Sequence, residues 1–143
     1  MENEIRAIFM IEMLGKPAEH EEKKMQDTVK KLSEESNLEV VDKKVAKPKQ
    51  VKDEENVFSS FAEVEFKTSL KKIMGLVFAY MPSNVEIVTP ERIVTNNSDM
   101  SAVLNLLTQK LHKYDEFAKA VMMERKQLAK KIKSNNSEKE EED

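Results

Sequence analysis

The sequence has no cysteine and only two glycines among its 143 residues. Without cysteine the chain has no disulfide bonds, no thiol nucleophile and no zinc–thiolate site. Two glycines do not make a glycine-rich loop of the kind that cradles a phosphate group.

No apolar run reaches the length of about 18 residues that predicts a membrane-spanning helix. The segment Met1–Met13 has early acidic residues and no small-residue cleavage site, so we do not expect a signal peptide. We therefore expect a cytoplasmic protein that does not associate with a membrane.

Charge is abundant and apolar residues are scarce. Charged residues make up 36% of the chain and hydrophobic residues 39%, with a net charge of −3. This composition predicts one small hydrophobic core together with a long solvated element that carries much of the charge. The negative balance argues against a generally basic nucleic-acid binder, although local basic stretches remain.

The clearest strand pattern lies in Val57–Phe66. Side chains of a strand point alternately to opposite faces. One parity carries Phe58, Val64 and Phe66 around two small residues, which favours burial against helices. The other parity carries Phe61 beside two carboxylates, which favours a half-exposed face.

The flanking segments complete an α+β pattern. Strands are predicted at Glu4–Met13, Leu38–Ala46, Val57–Phe66 and Val85–Val88, and helices at Pro17–Ser36 and Thr68–Met81, with a loop at Lys47–Asn56. This order predicts a ferredoxin-like βαββαβ sandwich, with the first and third strands at the centre of the sheet. We expect this domain at residues 1–97, a long helix at residues 98–133 and a disordered acidic tail at residues 134–143.

The long helix has apolar residues spaced alternately by four and three positions. The row begins at Met100, skips at Arg125 and resumes at Leu128. A sustained 3.5-residue period is typical of a coiled coil. The predicted helix would be about 54 Å long, whereas a domain of this size is about 25–30 Å across. We therefore predict a non-enzymatic interaction or assembly module that docks or self-associates through this helix. The predicted contact residues are Leu107, Leu111, Tyr114, Phe117, Val121, Leu128 and Ile132.

Two other functions remain open at this point. The first is a small-ligand-binding regulatory domain, in which the sheet and a helix close over a metabolite. The second is an RNA- or ribosome-associated protein, in which Lys126, Lys130 and Lys131 contact an anion. We also expect the first half of the long helix to cover the free sheet face, which exposes Ile8, Met10 and Phe61.

No residue pattern predicts catalysis, a cofactor or a bound metal. The two histidines, His20 and His112, lie far apart in sequence. Glu63 and Glu65 share one strand face, but Arg6 and the many lysines offer ordinary ion pairs to them. A likeness of the third strand to an RNA-recognition motif fails, because Glu63 stands where a second stacking aromatic is needed.

Two local resemblances support the fold. The segments IRAIFMIEMLGKP, FSSFAEVEF, YMPSNVEIVTPE and LHKYDE resemble a group of short, uncharacterised archaeal proteins. Separately, AEVEF and FAYMPSNVEIVTPERI resemble the last strand, helix and strand of the small ferredoxin-like extension of WYL-domain transcription regulators. This chain has neither the WYL core nor a DNA-reading helix-turn-helix. The resemblances imply a ferredoxin-like fold and bring no catalytic residue with them.

Overall fold

The computed structural model describes residues 4–142, with side chains up to residue 141. The strands are β1 (Glu4–Gly15), β2 (Glu39–Val45), β3 (Lys49–Gln50), β4 (Phe58–Ser69) and β5 (Asn84–Thr89). The helices are α1 (Ala18–Ser33), α2 (Leu70–Tyr80) and α3 (Asn97–Glu142). The protein is therefore α+β, and the chain divides into two compact units between Asn96 and Asn97.

The first unit is built on an antiparallel sheet. The strands lie in the order β2-β4-β1-β5, and the short β3 also pairs with β4. The two central strands, β1 and β4, pair along their full length, from Glu4 opposite Ser69 to Gly15 opposite Phe58. These are the two strands that the sequence predicts to be central.

The hydrophobic core lies on one face of this sheet. In the predicted buried parity of β4, Ala62, Val64 and Phe66 have no exposed surface and Ser60 is 1% exposed. Phe58, at the start of the strand, is only half-buried. The Phe66 ring meets Phe9 of β1 edge to face, with ring centroids 4.8 Å apart, and such a pair contributes about 0.5–1.5 kcal/mol beyond its buried area. The two helices complete the core with the buried residues Met25, Val29, Leu32, Ile73 and Leu76.

Local sequence accounts for the turn after α1 and for the start of α2. The loop after α1 passes through Asn37 at φ 57°, a left-handed conformation that asparagine tolerates. The Ser69 hydroxyl caps α2 by accepting a hydrogen bond from the Lys72 backbone at 3.3 Å. Strand β4 runs up to this cap, so the prediction that α2 begins at Thr68 placed its start too early.

Two further segments differ from the prediction. The expected loop at residues 47–56 contains β3, in which Lys49 pairs with Ser59 and Gln50 with Phe58. Helix α3 continues to Glu142, so residues 134–142, predicted to be a disordered tail, are helical in the structure. No proline or glycine follows Pro90 to break the helix, and Glu and Lys are good helix formers. The final residue, Asp143, lies outside the described residues.

Candidate interaction surfaces

The second unit, α3, carries one continuous row of exposed side chains. We call this row the α3 seam and assign its members to positions a and d of a heptad repeat. All ten are exposed: Met100, Leu107, Tyr114, Val121 and Leu128 at position d, and Leu104, Leu111, Ala118, Arg125 and Ile132 at position a. The α3 seam therefore contains six of the seven predicted contact residues. The seventh, Phe117, occupies the flanking g position and is 70% exposed.

Charged side chains lie beside and behind the α3 seam. Lys110 and Glu124 occupy g positions, next to the seam. Asp115 occupies an e position and pairs with Lys119 of the same helix, with 2.9 Å between Lys119 Nζ and Asp115 Oδ2. Both of these side chains are exposed, so we expect this ion pair to contribute little to stability.

The predicted anion-contact residues all lie on α3. Lys126, Lys130 and Lys131 are exposed and fall at positions b, f and g. The first two therefore point away from the α3 seam, whereas the third flanks it. The same helix ends in a Glu-rich stretch at residues 138–142. A role in RNA binding stays a prediction.

The outer face of the sheet, opposite the core, is mixed in character. Ile8 and Met10 are half-buried, and Phe61 is 38% exposed. At one side of this patch Arg6 donates from Nε to Glu65 Oε1 at 3.0 Å. The hydrogen bond and the charge of Glu65 raise the pKa of the Arg6 guanidinium. Glu65 therefore forms an ordinary ion pair with Arg6, which the sequence pattern gave as the alternative to a catalytic role.

A cleft of about 950 Å³ opens in the first unit between the start of β2, the end of β4 and helix α2. Its lining mixes both signs of charge, from Glu4, Glu35, Glu39, Lys67, Lys71 and Lys72. Two of these already pair across the cleft, because Lys72 Nζ lies 2.9 Å from Glu35 Oε2. Within residues 4–142 no three acidic or histidine side chains converge to hold a metal ion.

The Glu35 carboxylate accepts hydrogen bonds from two residues of α2. We call this arrangement the Glu35 junction, and the sequence did not indicate it. Besides the bond from Lys72, the carboxylate accepts a hydrogen bond from the Tyr80 hydroxyl at 2.9 Å. The bond from Lys72, followed by the bond from Tyr80, lowers the pKa of Glu35. Burial, reinforced by Glu35, raises the pKa of Tyr80 to about 12. The partners of Glu35 lie 37 and 45 residues away along the chain, so no local pattern marks this junction.

A second unpredicted feature is the burial of Glu21 in the first turn of α1. At this position an acidic side chain such as Glu21 complements the helix dipole and would ordinarily stay in water. In the structure it is 2% exposed, and its Oε2 finds no hydrogen-bond partner among the described residues. Its carboxylate lies where a Cβ on Gly15 would stand. Gly15 has no positive φ, so its backbone conformation does not require glycine. Glycine is favoured here because the Glu21 carboxylate occupies the space that a Cβ would need.

Comparison with known proteins places the chain in a family. The model of the MJ0538 family matches residues 6–142. The chain belongs to the MJ0538 family. This membership agrees with the resemblance to short archaeal proteins and does not bear on the likeness to WYL-domain regulators. Neither a curated protein nor a solved structure matches the chain. None of the helices within residues 4–142 has the length and apolar character needed to cross a membrane.

Proposed function

We propose that this member of the MJ0538 family is a non-enzymatic assembly module, and that its α3 seam binds the α3 seam of a second copy of the chain. The exposure of the whole seam, from Met100 to Ile132, carries the proposal. At about 1.5 Å per residue this row extends for about 48 Å along the helix. An exposed row of this length, mostly apolar and with Arg125 as its one charged member, is typical of an interaction site.

The pattern of the seam favours another helix as the partner. A 3.5-residue period keeps one side of a helix facing a neighbouring helix over many turns. Leucine, valine and isoleucine occupy six of the ten seam positions, and Phe117 and Met122 widen the apolar surface near its middle. A second copy of α3 offers the same length, period and charge pattern, so the surface is self-complementary along its length.

For the first unit we propose a ferredoxin-like sandwich that serves as the platform for α3. Several features support this assignment. Apart from the two-residue β3, the elements follow the order βαββαβ, and β1 and β4 lie at the centre of the sheet. Buried residues from both helices join a single core on one face. The assignment describes a scaffold and implies no activity by itself.

The mass of the full-length chain in solution tests the self-association. We expect sedimentation analysis to give twice the chain mass at micromolar concentration. Leu128→Glu places a carboxylate at a d position of the seam, so we expect the monomer mass because a buried charge would be unpaired. Met123→Glu is the matched control, because Met123 is 63% exposed and lies at position f on the far side of the helix. This control should keep the dimer mass.

Helix content measured by circular dichroism separates loss of pairing from loss of folding in these variants. A wild-type chain that sediments as a monomer throughout the micromolar range would end the proposal. Equal loss of the dimer in the Leu128→Glu and Met123→Glu variants would also contradict it, because the interface would then not follow the seam.

The cleft beside α2 supports a second candidate function, a small-ligand-binding regulatory domain. Its volume of about 950 Å³ lies within the range of small-molecule sites. Lys67 and Lys71 supply cations beside the Glu35–Lys72 pair. A thermal-shift screen of metabolites, nucleotides and divalent ions tests this function. A hit whose stabilisation disappears in the Lys71→Met variant supports it, and a screen without a hit counts against it.

A further inference from the structure

From the residues along the α3 seam we infer that the two α3 helices pair antiparallel, with Ala118 of each copy facing Tyr114 of the other. This inference rests on the proposed self-association and adds its orientation and register. In an antiparallel pair, an a residue of one helix faces a d residue of the other. Centring the pair on residue 116 aligns the whole seam. The facing pairs are then Met100 with Ile132, Leu104 with Leu128, Leu107 with Arg125, Leu111 with Val121, and Tyr114 with Ala118.

Side-chain size favours this arrangement. A well-packed core sets large side chains opposite small ones. The antiparallel pair does so twice at its centre, because the Tyr114 side chain of each copy fills the space above Ala118 of the other. A parallel pair would instead set Ala118 against Ala118 and Tyr114 against Tyr114. The first of these layers would leave a gap and the second would crowd two rings.

The single charged member of the seam favours it as well. In a parallel pair the two Arg125 side chains would face each other at the same a layer, and like charges repel there. In the antiparallel pair each Arg125 faces Leu107 of the second copy, and the two arginines lie far apart. The aliphatic part of an arginine side chain can cover such a leucine while its guanidinium reaches water.

The flanking charges pair differently in the two orientations and so provide the test of orientation. Antiparallel pairing brings g positions together, so Lys110 of each copy meets Glu124 of the other, giving two ion pairs. It also brings the two Asp115 side chains together at the facing e positions. In the structure Asp115 already pairs with Lys119 at 2.9 Å, and this cation offsets the repulsion. A parallel pair would instead match Lys110 of each copy with Asp115 of the other, also giving two ion pairs, so the case for the antiparallel orientation rests on side-chain size and on Arg125.

A charge-swap experiment on the full chain separates the orientations. The dimer dissociation constant is measured by sedimentation for wild type, Lys110→Glu, Lys110→Glu with Glu124→Lys, and Lys110→Glu with Asp115→Lys. Each dimer contains two such pairs, so we expect Lys110→Glu to weaken association about tenfold to thirtyfold. Glu124→Lys should restore most of that affinity, whereas Asp115→Lys should not. Lys110 and Glu124 are 124 − 110 = 14 residues apart, about 21 Å along one helix, so a rescue reports on two chains.

The absence of native cysteine permits a second measurement. Leu104→Cys and Leu128→Cys chains are treated with a short thiol-to-thiol cross-linker, each alone and as a mixture. Antiparallel pairing predicts cross-linked dimer in the mixture and little in either chain alone. Parallel pairing predicts it in each chain alone.

The outcomes keep the two proposals apart. A monomeric wild-type chain overturns the self-association itself. A dimer that is rescued by Asp115→Lys, or that cross-links in the separate chains, overturns the antiparallel orientation and leaves the self-association standing. A dimer in which neither second substitution rescues Lys110→Glu also overturns the inferred register.

Discussion

The Tyr80 hydroxyl donates a hydrogen bond to Oε1 of Glu35 at 2.9 Å, and so ties the end of α2 to the loop that follows α1. The other carboxylate oxygen of Glu35 accepts from Lys72 Nζ, also at 2.9 Å. Glu35 and Lys72 also line the cleft in the first unit. Because this arrangement lowers the pKa of Glu35 and raises that of Tyr80, we expect the stability of this part of the fold to depend on pH at both ends of the scale.

At high pH, ionisation of Tyr80 is expected to destabilise the fold. Burial and Glu35 raise the pKa of Tyr80 to about 12, above the ordinary value of about 10. The contribution of the neutral phenol to stability is therefore complete below about pH 10 and is lost as pH rises towards 12.

The Tyr114→Phe variant leaves Tyr80 as the sole tyrosine and allows its phenolate absorbance to be titrated. We expect a midpoint near 12 in the folded chain and near 10 in denaturant. Adding Glu35→Gln should lower the folded midpoint only in part, because burial is the larger cause. A folded midpoint at the ordinary value would contradict the half-buried placement of this ring.

At low pH the Glu35 carboxylate should matter in the opposite sense. Its pKa is lowered in the folded state by Lys72 and Tyr80, so its contribution to stability is present above its ordinary pKa. That contribution is lost as pH falls through the lowered value. Urea unfolding at neutral pH should show Glu35→Gln to be about 1 kcal/mol less stable than wild type.

The matched control for this measurement is Glu34→Gln, the neighbouring and exposed glutamate. It should leave the unfolding free energy nearly unchanged at every pH. The deficit of Glu35→Gln should shrink in acid, where wild type also loses the charge. A deficit that is the same at both pH values would show that the carboxylate charge plays no part.

Replacing Gly15 should be costly only while Glu21 keeps its side chain. In Gly15→Ala the new Cβ meets the buried Glu21 carboxylate, so this end of a flexible side chain must move, at a cost of about 1 kcal/mol, the low end for overpacking. In a Glu21→Ala background the same substitution should cost little. Thermal unfolding of the two single variants and the double variant measures the difference. Additive effects of the two substitutions would rule out the contact as the reason for the glycine.

The two faces of β4 should respond differently to truncation of a phenylalanine. Phe66 is fully buried and meets Phe9 edge to face, so Phe66→Ala should lower the unfolding free energy by about 3–5 kcal/mol. Phe61 lies on the outer face and is 38% exposed, so Phe61→Ala should cost about 1 kcal/mol or less. Urea unfolding of both variants checks this, with Phe66→Leu as a milder core change. Similar losses at both positions would contradict the assignment of the faces.

The sequence predicted the parts of this structure that depend on periodicity. Alternation along β4 identified Phe66 and Val64 as buried, because a strand that is covered on one side must place apolar residues at every second position. The 3.5-residue spacing identified the row on α3. The end of α3 was missed, because the acidic composition of residues 134–142 indicates disorder, while its Glu and Lys residues equally suit a helix.

Residues whose roles depend on distant neighbours could not be predicted in the same way. Glu21 is buried because the first turn of α1 packs close to Gly15, and Glu35 is a junction because β4 and α2 bring Lys72 and Tyr80 beside it. The period of a helix or strand describes one segment at a time, so it does not show which segments meet. A charged residue in the sequence predicts an exposed side chain but does not identify its ion-pair partner.

The sequence by itself therefore determined which face of β4 and which side of α3 are apolar, since these patterns follow from the repeat of the backbone. Only the tertiary structure decided where the charged side chains lie. Lys72 meets Glu35, Glu21 is buried, and Arg6 pairs with Glu65 rather than with Glu63. The register between β1 and β4 and the packing of α1 and α2 on the sheet fix these distances between residues far apart in the chain.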